Sequence, residues 1–113
     1  MSRSIECLCV DDKGKPSEIP AEKWVKEGQP YNITHVFVMM QQNKIQGCEL
    51  AEYDISDCIP YNCYRLTRFA FTKEALSKLF EMIKDCSGIN NLEDVDILKL
   101  IGDTPKIITT NLH

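Results

Sequence analysis

The chain has 113 residues, 43% of them apolar and 27% charged, with a net charge of −4 and an isoelectric point near 5.1. A chain this long buries roughly two-thirds of its unfolded surface, enough for a core without staples, so disorder is not expected. The acidic balance excludes chain-wide phosphate binding, because nucleic acids and anionic membranes call for an excess of Lys and Arg.

Met1 to Glu6 lacks an apolar core of signal-peptide length. The run from Ile33 to Met40 is far short of the roughly 20 residues a bilayer span needs. The expectation is a cytoplasmic protein with no membrane partner. Ser4 to Val10 predicts a first strand, apolar on both faces, stopped by the turn cluster Asp11-Asp12-Lys13-Gly14-Lys15-Pro16. Ser17 to Gly28 is a long excursion with one helical turn around Pro20 to Val25. Its Trp24, flanked by Lys23 and Lys26, suggests an apolar body under a polar surface.

Glu27-Gly28-Gln29-Pro30 launches the strongest predicted strand, Tyr31 to Gln41. Tyr31 and Ile33 share one face, and Val36, Val38 and Met40 the other, so the strand carries a β-bulge or is buried on both faces. Gln42-Asn43-Lys44 reverses the chain into a strand predicted from Ile45 to Ile55. It switches phase as well, with Cys48 and Leu50 on one face and Tyr53 and Ile55 on the other. Two such switches favour coiled barrel strands over a flat sheet. Asp57 to Pro60 ends the strand, Tyr61 to Tyr64 predicts a 3₁₀ turn, and Leu66 to Phe71 predicts the closing strand.

The pattern then turns helical. Thr72 is a good N-cap, Glu74 suits the first turn, and Gly88 is placed to terminate the helix. Between them Leu76, Leu79, Phe80 and Ile83 form an apolar stripe. A second helix is expected from Asn91 to the stop at Gly102 and Pro105, with Leu92, Val95, Leu98 and Ile101 as its stripe. Lys106 to Thr110 has the β-propensity of an edge strand, with a frayed end as the equal alternative.

Six cysteines stand at positions 7, 9, 48, 58, 63 and 86. Reduced and mostly buried thiols are the expectation; a disulfide framework would want a secreted context, and a zinc knuckle a C-x2-C spacing. No cofactor or metal is expected. The glycines are isolated, and His35 has no partner with which to build a catalytic triad. Glu49, Glu52, Asp54 and Asp57 read as the wet face of a half-solvated strand, so the chain is not expected to be an enzyme.

Pro60-Tyr61-Asn62-Cys63-Tyr64 resembles the Pro-Ser-Asn-Tyr corner of SH3 domains, and Glu27-Gly28-Gln29-Pro30-Tyr31 is similar to their diverging turn. The resemblance covers about half to two-thirds of the chain and implies an α+β protein, an SH3-like small β-barrel over residues 1–71. A C-terminal helical hairpin over 72–104, within an appendage of residues 72–113, would be packed on the barrel as one structural unit. Tyr61 and Tyr64 are the positions that match the peptide-binding corner. The texture of Lys15 to Tyr31, with Tyr64-Arg65 and Arg68-Phe69, also resembles short uncharacterised proteins of Bacteroidetes genomes and their phages.

The candidate binding residues are Trp24, Tyr53, Tyr61, Tyr64, Arg65 and Arg68, an aromatic–cation set able to hold a peptide or stack on exposed bases. The competing reading is a barrel corner that buries its own tyrosines and pairs its arginines with Glu49, Glu52 or Asp57. The expected function is protein binding of a phage or mobile-element type, by a monomer or homodimer with an unknown protein partner. The alternative is a nucleic-acid-associated barrel that stacks single-stranded bases, which the acidic charge disfavours.

Overall fold

A computed structural model describes residues 4–42, 44–88, 93–102 and 105–108. Over these described residues the chain is mixed α+β, with a five-stranded curled sheet and two α-helices. β1 is Ile5–Cys9, β2 Pro30–Met39, β3 Lys44–Leu50, β4 Phe69–Phe71 and β5 Lys106–Ile107. The sheet order is β3-β2-β1-β4-β5; only the pairing of β4 with β5 is parallel. The tail therefore adds the expected edge strand, two residues long; Thr109 and Thr110 lie outside the described residues.

The phase switch in β2 is a bulge. Ile33 pairs with Leu50, but Val36 pairs with Cys48, so two residues of β2, Thr34 and His35, oppose the single Glu49 of β3 between these pairs. Cys48 and Leu50 share a face, and the extra residue carries Val36 back to the face of Ile33, where both are fully buried. Of the two readings of the phase switch, the bulge is the one observed. The second switch is not a strand feature at all, because β3 ends at Leu50 and Tyr53 and Ile55 belong to the loop that follows.

The curl follows from chain length. Tyr64 bridges the outer edge of β3 at Cys48, and Phe69 already pairs with Cys9 on the far side of β1. Five residues, three of them in a 3₁₀ turn at Leu66–Arg68, reach about 13 Å. Four strand spacings across a flat sheet would be about 19 Å. The sheet bends to close that gap. The 3₁₀ turn expected at Tyr61–Tyr64 lies at Leu66–Arg68 instead, since the backbone of Tyr64 is committed to an extended pairing with Cys48. That leaves only Phe69–Phe71 as closing strand.

α1 is Lys73–Ser87, capped by Thr72, whose Oγ1 accepts the Ala75 N–H at 3.1 Å, and ended by Gly88 at φ 74°. Its buried side is Ala75, Leu79, Met82 and Ile83, with Leu76 and Phe80 half-buried, and it lies against β1, β2 and β4. α2, Asp94–Ile101, meets β3 and α1. Of its expected stripe only Ile101 packs on the core among the described residues. Ile97 and Leu100 are buried, whereas Val95 and Leu98 are 54% and 42% exposed; Leu92 lies outside the described residues. Ile97, Leu100 and Ile101 satisfy the same spacing, and two turns are too few for periodicity to choose between them.

The core holds ionisable groups that contribute a pH signature. Burial pushes the Cys7 thiol from its ordinary 9.0 up to about 12, and the Tyr31 phenol from 10.0 up to about 12. Cys48 is raised well above its ordinary value for the same reason. Between these limits the unfolded chain binds fewer protons than the native one, so stability falls as pH rises. The thermal midpoint is expected to decline steadily from pH 9 to about 12. A midpoint that holds level or climbs over that range would contradict this burial.

Candidate groove between the first loop and the corner

The first loop is held by its own side chains. Ile19 and Val25 are buried, and the expected single helical turn is a 3₁₀ turn at Ala21–Lys23. Trp24 is 9% exposed, and its Nε1–H donates to the Asp12 carbonyl at 2.6 Å. The Glu27 N–H donates to Asp12 Oδ2 at 3.1 Å, which ties the start of the loop to its end.

The facing wall is the corner after β3. The Ile59–Pro60 peptide is cis, and the Tyr61 N–H donates to the Cys58 carbonyl at 2.9 Å. The Tyr64 backbone then exchanges two hydrogen bonds with Cys48, at 2.8 and 2.9 Å. This close approach needs Gly47. A Cβ there would stand 2.5 Å from the Tyr64 carbonyl oxygen and 2.6 Å from Cys63 Sγ.

Three side chains lock the walls together. The Tyr64 ring packs against Trp24 with centroids 6.0 Å apart, and its hydroxyl donates to the Lys23 carbonyl at 2.7 Å. The Arg68 guanidinium lies 4.7 Å from the Trp24 ring centroid. Its Nη1 donates to the Lys13 carbonyl at 2.7 Å and the Asp11 carbonyl at 3.3 Å, and pairs with Asp11 Oδ1 at 3.6 Å. The Lys13 N–H, bonded at 3.0 Å, and the Arg68 charge hold the Asp11 carboxyl below its ordinary range.

Between the walls lies a groove of about 460 Å³. Buried Trp24 and Tyr64 form its floor, and exposed Lys13, Tyr61 and Arg65 its rim. Among the described residues its lining carries three cations, Lys13, Arg65 and Arg68, against one carboxylate, Asp11. Cys63 also lines it, but burial raises that thiol, so it is not a ready thiolate nucleophile at neutral pH.

Five of the six candidate residues therefore meet in one place, in two different roles. Trp24, Tyr64 and Arg68 build the groove, while Tyr61 and Arg65 face solvent at its edge. Tyr53 stands apart. It packs on Tyr31 at 5.8 Å and lines a separate cleft of about 180 Å³ with Glu49 and Asp54. The ion pairs differ from those of the structural reading: Arg68 takes Asp11, Lys23 takes Asp57 at 3.6 Å, and Glu52 binds the Asn32 backbone and side chain. Lys13 and Pro16 were missed as groove residues because a turn cluster announces where a strand stops, not what its loop will face.

All six cysteines are free thiols, four of them buried. Cys86 Sγ lies 3.7 Å from Nδ1 of exposed His35. Among the described residues no three metal-ligating side chains converge, and no helix is long and apolar enough to cross a membrane. No family model matches the chain, and none of the curated proteins or solved structures compared with it is similar to it.

Proposed function

We propose that this protein is a non-enzymatic binding module of SH3-like architecture that takes a segment of a partner protein into the groove between its first loop and its corner. The single observation that carries this reading is the groove's division of labour. Its floor is fixed by the Trp24–Tyr64–Arg68 interlock, and at its rim the side chains of Tyr61 and Arg65 have no hydrogen bond or ion pair among the described residues. A pre-organised floor lowers the ordering cost of binding, and exposed Tyr and Arg side chains are residue types that anchor an interface once a partner buries them. The SH3-like part of the proposal is supported by the element order: a strand, a long loop, an antiparallel pair, and a 3₁₀ turn into a closing strand.

The test separates rim from floor. A Tyr61→Ala/Arg65→Ala double variant is expected to keep the wild-type thermal midpoint while capturing its cellular partner at least about tenfold less well. Equal capture of the same partners by the folded variant would sink the proposal.

A further inference from the structure

We infer that the occupant of this groove is an acidic extended peptide, with Asp or Glu side chains set beside an apolar residue. This rests on the groove reading above and deepens it. The chain carries net charge −4, yet among the described residues the groove collects three cations against one carboxylate. Two of those four charges cancel locally, because Asp11 and Arg68 pair at 3.6 Å and Arg68 is further held by two carbonyls. The charge left facing the ligand is that of Lys13 and Arg65. Both are exposed, and neither side chain has an ion-pair partner among the described residues.

Two unpaired cations at a rim, beside the exposed Tyr61 ring, suit one or two carboxylates and an apolar residue between them. They do not suit a nucleic-acid strand. A strand needs open ring faces and a continuous basic track. Here Trp24 and Tyr64 are buried, Arg68 covers the Trp24 ring, and the rest of the surface is net acidic. Peptide carboxylates fit the charge that is present; a run of phosphates exceeds it.

A displayed library of random twelve-residue peptides, selected on the full chain at low salt, reads this directly. The selected pool is expected to be enriched in Asp and Glu over the input, and its members should weaken about tenfold or more against Lys13→Glu/Arg65→Glu protein. Both substituted side chains are exposed, so circular dichroism should match the wild type. A pool of neutral or basic peptides that still needs Tyr61 would overturn the acidic assignment and leave the binding module standing. A library that yields no binder, or binders indifferent to Tyr61→Ala, would overturn both. Tighter binding of a single-stranded 20-nucleotide thymidine oligomer than of any selected peptide would replace the peptide with nucleic acid.

Discussion

Gly47→Ala is expected to lower the thermal midpoint by on the order of 10 °C, a large loss for one methyl group. The new Cβ would meet the Tyr64 carbonyl oxygen at 2.5 Å and Cys63 Sγ at 2.6 Å. A thiol can swing aside, but the carbonyl is backbone and is already fixed by its hydrogen bond to the Cys48 N–H at 2.8 Å. Overpacking of this kind costs about 3 kcal/mol, and for a domain of this size each kcal/mol moves the midpoint by roughly 4 °C. Combining Gly47→Ala with Cys63→Ala should recover only a small part of the loss. If Gly47→Ala alone melts within about 2 °C of the wild type, the chain does not approach β3 as closely as described. The effect should also reach the groove, because the same bridge aims the Tyr64 ring at Trp24.

The second large effect is expected at Tyr64. Replacement by Ala removes a side chain that is 2% exposed, its contact with Trp24 and its bond to the Lys23 carbonyl. Emptying an aromatic site in a core costs about 3–5 kcal/mol. Tyr64→Phe keeps the ring and loses only the hydroxyl, leaving one carbonyl less well satisfied, at a cost of about 1 kcal/mol. Thermal or urea denaturation should therefore rank wild type above Tyr64→Phe and both far above Tyr64→Ala. A Tyr64→Ala protein as stable as the wild type would make the residue a surface feature and remove the floor from the groove. One consequence is practical. Loss of binding on Tyr64→Ala cannot be read as lost contact with a ligand, whereas loss on substitution of Tyr61 or Arg65 can.

The strands and helices were legible where a local rule acts alone. The apolar stretch of β1, the Thr72 cap and the Gly88 stop each depend on a few neighbouring residues, and all three stand where expected. The bulge in β2 was legible as a change of phase, because a two-residue period cannot break without an extra residue or a second buried face. The corner was harder. Tyr61 to Tyr64 looks like a local turn, but the Cys48 backbone competes for Tyr64 and moves the 3₁₀ turn to Leu66–Arg68. That competitor lies sixteen residues away and leaves no trace in the local sequence.

The site was half legible. Aromatic and cationic residues marked the corner that lines the groove, yet their placement depends on contacts with the first loop, Arg68 with Lys13 and Asp11, and Trp24 with Asp12. Such pairings join residues up to 57 positions apart. Residue type announced that Trp24, Tyr64 and Arg68 could interact. It could not say that they would interact with each other and leave Tyr61 and Arg65 exposed at the rim.

Titration calorimetry with the captured partner, run on wild type and on folded Tyr61→Ala/Arg65→Ala protein, tests the central claim most directly. The account predicts superimposable melting curves and a loss of affinity of about tenfold or more in the variant. Unchanged affinity in a variant that melts like the wild type would contradict it, and would place the working surface elsewhere on the fold.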